Sequence, residues 1–140
     1  MKEKFSDYEG AVYLNEEGEI LFTIDDYELK DSKNGNPMAV FTCKSDKGQT
    51  TIYHTITDKT KWSYNNLIKA CLHLNTREKI EAFELDYETI GNELIGKQFI
   101  GVVEAETYTK EIKKPNADGT FDTVEEERTS YKIKSYKEAV

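Results

Sequence analysis

Met38-Ala39-Val40-Phe41-Thr42-Cys43-Lys44-Ser45-Asp46-Lys47-Gly48-Gln49-Thr50-Thr51-Ile52-Tyr53-His54-Thr55-Ile56-Thr57 is the stretch that decides the fold class. From Met38 to Lys44, Met38, Val40 and Thr42 share one face, and Ala39, Phe41 and Cys43 share the other. From Thr50 to Thr57 the alternation returns, with Ile52, His54 and Ile56 against Thr51, Tyr53 and Thr55. A period of two in β-branched and aromatic residues is the mark of strands, and Asp46-Lys47-Gly48 is a hairpin turn between them. Upstream, Ile20-Leu21-Phe22-Thr23-Ile24-Asp25-Asp26-Tyr27-Glu28-Leu29 reads as a first strand. Ile20, Phe22 and Ile24 share a face, while Tyr27 and Leu29 are out of phase by one residue, so a bulge near Asp25-Asp26 is predicted.

Downstream the period changes. Leu67, Ala70, Cys71 and Leu74 fall at i, i+3, i+4 and i+7, with Ile68 and Leu72 widening the stripe. This predicts an amphipathic helix over about 60–74, with Asp58, Thr60 or Ser63 as caps and Asn75 as the stop. Trp62 is expected to plug the base of the fold. The acidic stretch 76–96 reads as helical or irregular, docked by Ile80, Phe83, Leu85, Ile90, Leu94 and Ile95. A fourth strand runs from Gln98 to Thr109 and a fifth over about 128–136, joined by a long hairpin tip, 110–127, that contains Pro115-Asn116-Ala117-Asp118-Gly119-Thr120.

The order β-β-β-α-β-β is that of a five-stranded Greek-key barrel of the OB type, with a helix between strands 3 and 4. One domain, 1–140, is expected, with 1–19 a loosely packed lead-in anchored by Tyr8, Val12 and Leu14. The start, Met1-Lys2-Glu3-Lys4-Phe5, lacks the apolar core of a signal peptide, and no apolar run is long enough to span a membrane. A soluble, cytoplasmic protein is expected. Cys43 and Cys71 sit in apolar patterns and form no CxxC motif, so they read as buried, reduced thiols.

The net charge of −8 opposes binding to a phosphate backbone, yet the charge is segregated. Residues 1–29 carry two lysines against nine acids, whereas 30–74 carry seven lysines against three. The segment 128–137 holds Arg128, Lys132, Lys134 and Lys137 with no acid. A local field can be positive on an acidic protein. Single strands are held by aromatic platforms under the bases and cations along the backbone. Candidates for the cations are Lys30, Lys33, Lys44, Lys47, Lys110, Lys132 and Lys134. Candidates for the platforms are Phe41, Tyr53, Tyr108 and Tyr131. The blander alternatives are that Phe41 is core, that Tyr53 is a cross-strand partner, and that the lysines only solubilise. The two basic segments are expected to flank one groove.

Catalysis finds little support. His54 and His73 lie in no motif with an acid or nucleophile, Cys71-Leu72-His73 lacks the further ligands of a zinc site, and Lys33-Asn34-Gly35-Asn36 is no phosphate loop. No catalytic residue, metal or cofactor is expected. The acidic pairs Asp25-Asp26 and Glu16-Glu17 read as solvated surface.

Ser32-Lys33-Asn34-Gly35-Asn36-Pro37-Met38, Leu94-Ile95-Gly96-Lys97-Gln98-Phe99 and Tyr131-Lys132-Ile133 together resemble a family of phage-encoded single-stranded-DNA-binding proteins with OB folds, over about residues 9–137. The resemblance implies non-sequence-specific binding of single-stranded DNA in phage or prophage replication or recombination. It also implies phage recombination or replication proteins as partners, and is compatible with a homo-oligomer. The end, Tyr136-Lys137-Glu138-Ala139-Val140, differs from the acidic tail of bacterial single-strand binders, so recruitment by that route is not expected. Two other functions compete: an interaction module whose exposed aromatics meet a recombination or replication protein, and a small nuclease using Asp25, Asp26 and Glu28 with a metal.

Overall fold

The structure, a computed structural model, describes residues 13–139. Tyr8 and Val12, expected as anchors of the lead-in, and the start of the chain lie outside the described residues. The elements run β1 (Gly18–Asp31), β2 (Pro37–Ser45), β3 (Gly48–Thr55), α1 (Lys61–Leu72), α2 (Arg77–Ala82), α3 (Ile90–Leu94), β4 (Gln98–Pro115) and β5 (Phe121–Glu138). Among the described residues no helix is long and apolar enough to cross a membrane.

The strands form one sheet in the order β3-β2-β1-β4-β5, each ladder antiparallel. The central strand β1 divides its length between two partners. Gly18 to Thr23 pair with β4, and Thr23 to Asp31 pair with β2. The predicted bulge is present: Ile24 faces Cys43 and Asp26 faces Thr42, leaving Asp25 unpaired. Tyr27 thereby rejoins the inner face opposite Phe41, with ring centroids 5.1 Å apart.

The barrel is the correction. Closure of an OB barrel requires the last strand to reach the third, and among the described residues no ladder joins β3 to β5. The reason lies in β5, which lays its whole length on β4, from Phe121 opposite Pro115 to Glu138 opposite Phe99. The two edges meet only through side chains, His54 Nε2 and Tyr136 Oη lying 2.7 Å apart. The protein is an open, curled sheet with three small helices among the described residues, not an OB-type barrel.

α1 fills the concave side. Its buried residues, Tyr64, Leu67, Ile68, Ala70 and Cys71, pack with Phe22, Ile24, Phe41, Cys43, Ile52, Phe99 and Val103 from the strands. The helix begins after a turn in which Thr57 Oγ1 accepts from Thr60 N (3.2 Å) and Thr60 Oγ1 donates to Thr55 O (2.6 Å). It ends two residues before the expected stop, at His73 in the left-handed conformation (φ 55°), while Leu74 N donates to Lys69 O. α3 packs on β1 at Gly91, where a Cβ would lie 2.1 Å from Tyr27 Cε1, so only glycine fits under that ring. Leu14 belongs to the core, and its N–H donates to Gln49 O (3.0 Å), so this end of the lead-in is fastened rather than loose. Cys43 and Cys71 are free and buried, and burial pushes both thiols up to about 12.

Tyr64, the largest fully buried side chain, lies between Phe41 (5.7 Å) and His54 (5.5 Å). Its hydroxyl has no hydrogen-bond partner among the described residues. Burying an unpaired hydroxyl costs about 1–3 kcal/mol. Tyr64→Phe is therefore expected to leave stability unchanged or to raise it, measured by urea denaturation. A loss of more than about 1 kcal/mol would mean that the hydroxyl is hydrogen-bonded after all.

Candidate nucleic-acid interface

The sheet's convex face carries the side chains that alternate with the core. On β2 and β3 these include Met38, Val40, Thr42, Lys44, Thr51, Tyr53 and Thr55, because Ala39, Phe41, Cys43, Ile52 and His54 point inward. The register aligns Lys30 with Met38 and Met38 with Thr55 in one rung, and Glu28 with Val40 and Val40 with Tyr53 in the next. Tyr53 is 60% exposed, so its ring face is available to a ligand. Phe41 is fully buried and cannot stack on a base. Its parity settles the face of β2 that the sequence left open.

Beside this rung lies an open depression lined by Ser32, Lys33, Asn34, Asn36, Met38, Thr55, Thr57, Lys59 and Thr60. Its wall is a tight turn. Ser32 N donates to Asn36 O (2.7 Å), Asn36 N to Ser32 Oγ (3.2 Å) and Gly35 N to Ser32 O (2.9 Å). Gly35 takes φ +80°, which glycine adopts without strain. Lys30, Lys33 and Lys59 are all exposed, and none of them has an ion pair among the described residues.

The other candidate lysines are differently placed. Lys44 pairs with Asp25 (3.1 Å) and Lys47 with Glu16 (3.5 Å), at the opposite end of the β2–β3 hairpin from Lys33. Lys132 (3.2 Å) and Lys134 both meet Glu106, and Lys137 meets Glu19. Lys110 has no ion pair among the described residues; Glu126, in register with it, pairs with Arg128 (3.4 Å). The acids in these ion pairs come from other strands or the lead-in, so the positive segments of the sequence are not equally positive surfaces. Nor do the two basic segments line one groove. Tyr108 lies on the convex face of β4 opposite Arg128, in a depression shared with Glu106, Thr107, Ser130 and Lys132. Tyr131 pairs with Ala105 on the other face of the same ladder and packs partly against the core.

Trp62 was expected inside and is 65% exposed. It opens a groove between α1 and β5 that also holds Lys69, Lys134, Tyr136 and Lys137. Trp62 precedes Leu67 by five residues, about 140° away around the helix, so the helical phase already set it off the apolar stripe. Tyr64 takes the interior place instead. Lys59, two residues before α1, is the other residue that strand-based reasoning passed over.

His54 is 5% exposed, and burial lowers its pKa to about 4. Among the described residues no three His, Cys, Asp or Glu side chains gather as a metal site. Of the acids a nuclease would need, Asp25 is held by Lys44 and Asp26 accepts from Tyr27 N (2.8 Å). No protein-family model matches the chain, and no curated protein matches it significantly.

Proposed function

We propose that the protein binds single-stranded DNA at the end of the sheet formed by the β1–β2 turn and the start of α1. The observation that carries this reading is that Lys33 and Lys59, cations without an ion pair among the described residues, line one depression with Met38 and Thr55, while Lys30 stands in register with Met38 and the exposed ring of Tyr53 lies one rung along the same face. Cations track phosphates and exposed rings take bases. The resemblance of the β1–β2 turn to that of phage single-strand binders points the same way. Lys44, Lys47, Lys132, Lys134 and Lys137 are each matched by an acid, so binding is concentrated in this patch rather than at those lysines.

Titration with oligo-dT tests this, with Trp62, the sole tryptophan, as reporter. Quenching is expected at micromolar protein, with affinity falling roughly tenfold or more between 50 and 200 mM salt if three or four phosphates are contacted. Tyr53→Ala should weaken binding by about 1–3 kcal/mol, and Lys33→Ala should flatten the salt slope. Absence of binding at low salt, or binding indifferent to salt, would end the reading. The alternative, an interaction module for a recombination or replication protein, draws on the apolar–cationic groove under Trp62. Capture of such a protein without any oligonucleotide shift would favour it.

A further inference from the structure

β4 leaves β1 at Val103, and beyond that point residues 104–115 pair only with β5. The result is a two-stranded arm, 104–115 with 121–132, projecting past the sheet. Isolated two-stranded ribbons are marginal in water, and a free strand edge is a template for another strand. Ala105 N donates to Glu17 Oε1 (3.2 Å), so the amide of Ala105 faces the side that β1 has vacated. In an antiparallel ladder this direction alternates. The backbone groups of Thr107, Thr109, Glu111 and Lys113 therefore face outward along the free edge of β4, and among the described residues they have no backbone partner. Natural edges are commonly blunted by charged side chains, by proline or by a bulge. On this edge Pro115 stands only at the tip, and the shift in the β4–β5 ladder lies below the arm, at Val102/Val103.

Charge selects the occupant. Along β4 the acids Glu104 and Glu106 stand at the base, while toward the tip the lysines Lys110, Lys113 and Lys114 outnumber the single acid Glu111. A second arm laid parallel would set like charges together. Laid antiparallel, with the crossing at Thr109, it sets Glu104 against Lys114 of the second copy and Tyr108 beside its Lys110. The midpoint of the edge is neutral, Tyr108-Thr109. The β5 edge lacks this property, because its midpoint is the run Glu125-Glu126-Glu127, which would meet itself. We infer that two copies of the chain associate through antiparallel, two-fold pairing of the free β4 edges of their arms, β5 remaining outside.

Sedimentation velocity of the full chain, without nucleic acid, tests this from micromolar to near-millimolar protein. A monomer–dimer equilibrium that weakens with salt is expected. Thr109→Pro removes an outward amide and no β4–β5 hydrogen bond, and should give a monomer with unchanged circular dichroism. Thr109→Cys supplies a crossing-point thiol while Cys43 and Cys71 stay buried. It should form a disulfide dimer under mild oxidation, whereas Thr123→Cys on β5 should not. A wild-type chain that stays monomeric throughout overturns the inference, as does a dimer that Thr109→Pro leaves intact. If the proline variant loses strand signal, the cysteines decide: equal cross-linking at 109 and 123, or none at 109, overturns it.

Discussion

Phe41→Ala is expected to cost about 3–5 kcal/mol, the range for truncating a fully buried phenylalanine. The ring is wholly inside and touches two others, Tyr27 at 5.1 Å and Tyr64 at 5.7 Å. Alanine removes most of the ring's buried area and leaves a cavity lined by aromatic groups that cannot collapse freely, because Tyr27 is seated over Gly91 and Tyr64 is held by α1. Small domains are stable by roughly 5–15 kcal/mol, so much of the total is at stake. Urea midpoints of the wild type and variant measure it. The comparison with Tyr53→Ala separates core from surface. Tyr53, a partly exposed neighbour across the hairpin, should cost less than about 1 kcal/mol and should affect oligonucleotide binding instead. A Phe41→Ala protein of native stability that fails to bind DNA would refute the assignment of this ring to the core.

The second large effect is acid destabilisation through His54. In the native state the imidazole is enclosed by Tyr64 and hydrogen-bonded to Tyr136, and burial lowers its pKa from 6.5 to about 4. The unfolded chain titrates near the ordinary value. Above pH 6.5 both states are neutral and the group contributes no pH dependence. Between 6.5 and 4 the unfolded state takes up a proton that the native state refuses, so stability falls as the pH falls. Across that window the loss amounts to roughly 3 kcal/mol. Below about 4 both states are protonated and this contribution levels off. Urea midpoints at pH 7 and pH 4.5 measure the slope, and His54→Gln should remove it. If the wild type and the glutamine variant lose stability equally, His54 is not the group responsible.

Much of the sheet was legible in residue order. The alternation in 38–57 is local, and the structure keeps it as β2 and β3. The bulge at Asp25 was legible because the phase of the apolar residues changes there, and α1 because its stripe spans two turns. What the sequence hid was nonlocal. β4 and β5 outrun their predicted ends, since Lys110 to Lys114 and Asp122 to Glu127 are too polar to read as strands and are held by each other. Closure of the sheet depends on where β5 pairs, and nothing within β5 states that. The candidate site suffered in the same way. Lys44 and Lys132 looked like contacts in their own segments and are matched by Asp25 from β1 and Glu106 from β4. The lysines that keep the site positive, Lys30, Lys33 and Lys59, are those in turns or at a strand end, where no neighbouring strand brings an acid across.

The bulge in β1 has a consequence for how the shape of this protein is encoded. Because Ile24 and Asp26 face consecutive residues of β2, excising Asp25 altogether would leave every rung of that ladder matched as before, and every ring on its present side. What would go is the added twist and bend that a surplus residue gives a strand. The sheet would relax toward flatness, and the contact of His54 with Tyr136 would open. Curvature here resides in residue count rather than in side-chain chemistry: exchanging the aspartate for another residue preserves it, and shortening the strand by one erases it.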